Sequence, residues 1–246
     1  MHLESTESKE LRELLENLKE MGCVGVKMST EDAGLSLNFI DFVNNRLLDG
    51  IVPLNMKIGG PDAQNDIREA LRIGVAGIIA PMVESPFGLQ KFVAAMRRHA
   101  GEAAMRRLLV SVNLESVTAY RQIDDLLRTP EIEAIDQIVI GASDLALSVG
   151  KPKDDPTFVA MVTKMAQKAK DVGKIVRVGG MMGLLRDHEA RLRQLLAETH
   201  ADRVNTALVC FSVHKTRDLQ AAYVTALRFE KALFAFWSMR NAKRLA

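Results

Sequence analysis

The sequence predicts an α/β protein: one (β/α)8 barrel of the TIM type spanning residues 1–246, with 217–246 as an extra C-terminal helix. Three observations predict it. Strand-like apolar runs centre near Val26, Leu54, Ile79, Val110, Val139, Val176 and Val204, separated by stretches of helical periodicity, which is the mark of repeated βα units. Two β-branched runs, Leu108–Leu114 and Ile138–Ile140, end in the carboxylates Glu115 and Asp144, at the strand ends where a barrel keeps its chemistry. Finally, 246 residues suit one barrel better than two domains. Seven runs leave one strand to find, and the stub His2–Leu3 would supply the eighth. A doubly wound sheet would alternate in the same way, but no Gly-x-Gly-x-x-Gly follows the first strand.

Taken in order, Ser8–Glu20 is a helix by the spacing of Leu11, Leu14, Leu15 and Leu18; Gly22 ends it and Cys23–Met28 is a strand. The acidic turn Ser29–Gly34 follows, where Glu31 and Asp32 either cap the next helix or face the site. The second strand ends in Lys57, ahead of Gly59-Gly60. Paired glycines before a helix leave N–H groups open to an anion, and Lys57 can meet an anion as a point charge or pair with Glu84 or Glu31. Gly77–Pro86 is the third strand and its exit, with Glu84 either a helix cap or turned to the mouth. Leu89, Phe92, Val93 and Met96 then mark an amphipathic helix.

Glu115 and Asp144 admit two readings. They can cap the helices that follow, or converge on a hard divalent metal, which takes oxygen ligands. The turn at Gly141–Asp144 presents the N–H groups of Ser143 and Asp144 to a carboxylate, and Gly150–Pro156 is a polar loop over the same mouth. The glycines in Ile175–Gly183 allow close packing. His188, His200 and His214 read as surface residues, and Val204–Cys210 as the last strand. From Leu219 the chain is helical, and Tyr223, Phe229, Phe234, Phe236 and Trp237 give that helix a second apolar face that wants a partner.

A net charge of +2, with the signs interspersed, argues against nucleic acid. No apolar run is long enough to span a membrane, and the N-terminus lacks signal-peptide order. Cys23 and Cys210 read as buried thiols, so a cytoplasmic location is expected.

The blocks Pro81-Met-Val-Glu-Ser85, Asn113-Leu-Glu115-Ser and Ile140-Gly-Ala-Ser-Asp144-Leu-Ala-Leu-Ser-Val-Gly150 resemble, in that order, the HpcH/HpaI aldolase and citrate lyase β-subunit family. The resemblance implies Mg²⁺ or Mn²⁺ held by Glu115 and Asp144, and enolate chemistry on pyruvate or a related 2-oxo acid, with an aldehyde as the other partner of an aldol. It places the substrate carboxylate at Ser143 and Asp144; Lys57 and Gly59, from their own chemistry, are the further binding candidates. Lys57 stands where the family more often has an arginine, and Glu31-Asp32-Ala33 stands where its aldolases carry a histidine base. Glu31, Glu84 and Lys57 are therefore the catalytic candidates. A lysine imine, on Lys27 or Lys57, is the rival mechanism. Cleavage of an acyl-CoA thioester and a non-catalytic metabolite-binding barrel are the rival functions. Family members pack a C-terminal helix on a neighbouring subunit, which implies a homo-oligomer built of dimers, such as a hexamer.

Overall fold

The structure, a computed structural model, describes residues 6–32, 34–186 and 189–245. The stub His2–Leu3 and His188 lie outside them. The chain runs α1 (Thr6–Glu20), β1 (Cys23–Ser29), α2 (Leu37–Phe42), β2 (Leu54–Lys57), α3 (Gln64–Ile73), β3 (Gly77–Ala80), α4 (Pro86–Met105) and β4 (Leu109–Leu114). It continues through α5 (Val117–Leu127), β5 (Gln137–Gly141), α6 (Ala142–Val149), α7 (Pro156–Asp171), β6 (Ile175–Gly179), α8 (Glu189–Glu198), β7 (Arg203–Asn205), β8 (Val209–Ser212) and α9 (Leu219–Leu245). The eight strands close into a barrel in sequence order.

Within the barrel, β1 to β7 are parallel, while β8 is antiparallel to both β7 and β1. The stretch Val204–Cys210, expected to be one strand, is a hairpin whose second arm is the closing strand. The turn carries no glycine or proline, and side chains hold it instead. Thr206 Oγ1 accepts from Val209 N at 3.0 Å, and one oxygen of Glu230, reaching in from α9, accepts from Thr206 Oγ1 and from Leu208 N at 2.7 Å. On the other side Lys27 N donates to Leu208 O at 2.7 Å, which ties the hairpin to β1.

The strands are not apolar on both faces, as their sequence runs suggested. Successive side chains point to opposite faces. Val26, Met28, Met56, Val112, Leu114, Ile138, Ile140, Val176 and Val178 are buried in the hydrophobic core, whereas the alternate positions carry Lys27, Lys57, Asn113 and Arg177, which line the barrel's cavity. The apolar face sets the barrel against its helices; the other face is largely polar.

Helix α9 packs on α1 and directs Leu219, Ala222, Tyr223, Ala226, Phe229, Leu233 and Phe236 into the core at three- and four-residue spacing. Phe236 and Trp237 add to an aromatic cluster with Phe39 and Phe42 around α2. Much of the aromatic surface that suggested a partner subunit is thus used within the chain.

Candidate functional site

A cavity of about 370 Å³ opens at the C-terminal ends of the parallel strands, the usual place for a barrel's site. Glu115, one residue past β4, is 2 % exposed. Its Oε1 accepts from Met82 N at 3.0 Å and its Oε2 from Asn113 Nδ2 at 2.9 Å. Met82 adopts φ 52°, a strained value for a non-glycine residue, in the turn that aims its N–H at the carboxylate. Gly141 leaves the room: a Cβ there would lie 2.5 Å from Glu115 Oε2. Burial pushes the Glu115 carboxyl up, opposed by the Lys57 ammonium and by its two hydrogen bonds, and reinforced by Asp144. Asp144 lines the same cavity from the first turn of α6. Neither Glu84 nor Glu115 caps a helix. Ser85 and Ser116 do so, accepting from Gly88 N and Ala119 N, and leave the acids to other work.

Opposite the carboxylates stand cations. Lys57 Nζ donates to both oxygens of Asp32, at 2.9 and 3.1 Å, so its partner is Asp32 rather than Glu31 or Glu84. Lys27 Nζ lies 3.8 Å from Asp32, and burial, helped by Arg177 and Lys57, pulls its ammonium down to about 8. Lys153, from the loop after α6, donates to Ser143 Oγ at 2.8 Å and Gly180 O at 2.6 Å, and burial lowers it. Gly180, at φ 78°, packs on Ser143, where a Cβ would lie 2.4 Å from the hydroxyl oxygen. Arg177, on β6, is buried in the wall with the Cys210 thiol beside it; burial pulls it down too.

The structure therefore brings Lys57, Glu115, Ser143 and Asp144 to one cavity. It does not bring Glu31, Glu84 or Gly59 there. Glu31 is exposed and leans on the Gly59 turn, within 3.4 Å of the position a Gly59 Cβ would take. Glu84 is half-buried outside the lining. The anion cradle expected at Gly59 is occupied by the chain itself, because Gly59 N donates to Asp66 Oδ2 at 2.7 Å. The reading of the sequence gave no role to Lys153, Arg177 or Asn205, which also line the cavity. The signal for Arg177 was there, a charged residue between Val176 and Val178 on a strand, whereas Asn205 stands at the end of its strand after Val204.

A hard divalent ion takes oxygen ligands and keeps waters, and two carboxylates often suffice for it. Among the described residues no three His, Cys, Asp or Glu gather as for a metal. Glu115 and Asp144 share the cavity with a third oxygen, Asn113 Oδ1, which is buried and has no hydrogen-bond partner. That donor set fits Mg²⁺ or Mn²⁺.

A family model described as HpcH/HpaI aldolase/citrate lyase matches residues 40–201. No curated protein sequence matches the chain. Among solved structures, the citrate synthase SbnG superposes with a TM-score of 0.62 at 21 % identity, over 76 % of this chain and 78 % of that one. An HpcH/HpaI aldolase/citrate lyase family protein from Burkholderia cenocepacia J2315 gives 0.61 at 15 %, over 78 % and 82 %. Macrophomate synthase gives 0.62 at 16 %, over 81 % and 74 %. At these identities the likeness establishes the fold.

Proposed function

The chain belongs to the HpcH/HpaI aldolase/citrate lyase family, and from that premise we propose that it is a divalent-metal-dependent carbon–carbon lyase or aldolase working through the enolate of pyruvate or a related 2-oxo acid. The observation that carries this reading is the convergence of Glu115, Asp144 and the orphaned Asn113 Oδ1 on one cavity. These three would hold Mg²⁺ or Mn²⁺, and the bound ion supplies Lewis acidity for the negative charge of the enolate.

The remaining steps fall to the chain. The first-turn amides of α6, at Ser143 and Asp144, have no intrahelical acceptor and belong to residues that line the cavity, so they suit the substrate carboxylate; Lys153 adds positive charge beside them. Lys57, braced by Asp32, offers a fixed charge to the enolate oxygen. Aldol cleavage needs a base for the hydroxyl proton. Glu31 and Glu84 lie outside the cavity, whereas Lys27 Nζ lines it and is a free amine above about pH 8. Lys27 takes that role in place of the two glutamates.

Exchange of pyruvate's methyl protons into D₂O, with Mg²⁺ or Mn²⁺ present, tests the reading directly. Wild type should exchange and Glu115→Gln should not; a wild type inert with both ions overturns it. The depressed Lys27 amine also supports a second reading, in which Lys27 attacks the oxo carbon, expels water and forms an imine. Borohydride with pyruvate would then leave a stable adduct on Lys27 that survives removal of divalent ions.

A further inference from the structure

Arg177 is not explained by the chemistry above. It is 1 % exposed and lines the cavity. Its register partners are Val139 on one side and Arg203 on the other, so neither neighbouring strand offers it an acid. The groups that feel it are the Cys210 sulfur, which it meets through a side-chain hydrogen bond, the cations Arg203 and Lys27, and Glu115. No carboxylate lies within ion-pair distance among the described residues, and Glu115 is already held by Met82 and Asn113. The guanidinium Nε has no hydrogen-bond partner at all.

Two other cations at this cavity are provided for. Lys57 has Asp32, and Lys153 has a hydroxyl and a carbonyl. A buried guanidinium without an anion is rare, because leaving an uncompensated charge out of water is costly. Arginine also stays charged where lysine would shed its proton, and its planar fork suits the two oxygens of a carboxylate or phosphate. A second orphan points the same way: Asn205 Oδ1, one step nearer the mouth on β7, is buried, lines the cavity and lacks a partner.

We propose that Arg177 is an anion-binding subsite deep in the barrel, separate from the carboxylate position at α6, and that it takes a carboxylate or comparable oxyanion. The anion comes either from a second acidic group on the substrate or from a small free anion resident beneath it. The first source rests on the 2-oxo acid reading; the second does not. In either case an acceptor oxygen meets Arg177 Nε, and a hydroxyl or amide on the ligand, or a water, can donate to Asn205 Oδ1.

The test is calorimetric titration and thermal melting of the whole chain, with pyruvate, 2-oxoglutarate and inorganic phosphate as probes, on wild type and Arg177→Met. If the substrate supplies the anion, 2-oxoglutarate binds at least ~10-fold tighter than pyruvate, as a charge-assisted hydrogen bond should provide. Arg177→Met then loses that preference and keeps its pyruvate affinity. If the anion is free, phosphate raises the melting temperature of wild type and not of Arg177→Met, and leaves pyruvate binding intact. Should Arg177→Met fail to fold, Arg177→Lys, which keeps charge but not the fork, weakens either effect, and the wild-type titrations still decide. Wild type that prefers neither the dicarboxylate nor phosphate holds water only at Arg177, and the subsite is refuted. Pyruvate exchange in D₂O reports separately on the lyase reading, so an anion site on an inert protein, or an active enzyme without one, is recognised for what it is.

Discussion

Two layers of polar side chains fill the barrel, and they are finished differently. In the lower layer Gln137 Nε2 donates to Ser111 Oγ at 3.0 Å, and Gln137 Oε1 accepts from Arg203 Nη1 at 3.0 Å. Every strong group there has found another within the chain. Among the groups that line the cavity, by contrast, Asn113 Oδ1, Arg177 Nε and Asn205 Oδ1 have no partners. Strands β4 and β7 supply both sets, so the contrast does not come from the fold alone. A closed network rigidifies a barrel, whereas an open one costs stability until something from outside satisfies it.

That contrast can be broken at several points. The largest effect is expected where the open layer meets the chemistry: Glu115→Gln should slow pyruvate exchange by at least ~100-fold, more than 2 kcal/mol of barrier. Its thermal stability should hold or improve, since a buried carboxyl is exchanged for a neutral amide of the same shape. Next comes Gln137→Leu, which strands Ser111 and Arg203 and should cost about 2–3 kcal/mol in urea unfolding while leaving pyruvate affinity unchanged. Arg177→Met should stay within about 1 kcal/mol of wild type, or gain, because it removes an unpaired charge. Equal losses from Gln137→Leu and Arg177→Met would erase the distinction between the layers.

The smallest effect is a pH limb. A lysine lowered to about 8 is protonated below that value and cannot accept a proton. The rate should therefore fall about tenfold per unit as pH drops below 8 and level off above it. In Lys27→Met the limb should vanish along with most of the rate. A limb that persists in that variant assigns it to another group.

These layers also mark where the sequence was legible. The apolar runs located all seven parallel strands, because burial under helices needs one apolar face and β-branched residues supply it. The opposite face was equally present, in Val-Lys-Met-Ser, Leu-Asn-Met-Lys and Val-Arg-Val, but short runs hide a two-residue period among large apolar neighbours. The site was half legible. Glu115 and Asp144 sit at strand ends, whose direction a barrel dictates, whereas Glu31 and Glu84 sit in exits, whose path no local pattern specifies. The closing hairpin was hidden for another reason. Its turn, Asn205-Thr-Ala-Leu208, has no glycine or proline and is held by Glu230, from a helix further along the chain.

That late tether has a consequence for how the chain is made. Synthesis runs from the N-terminus, so when residues 1–208 have emerged, β1 and β7 each present an unpaired edge. Only residues 209–245 can close the gap: β8 fills it, Glu230 pins the hairpin, and α9 lies down against α1, joining the two ends of the chain. Contacts that span nearly the whole sequence form slowly, and an open strand edge invites a neighbour's strand in the meantime. A ribosome stalled before α9 should therefore carry an aggregation-prone, protease-sensitive barrel, and the last helix acts as the clasp that ends that vulnerability.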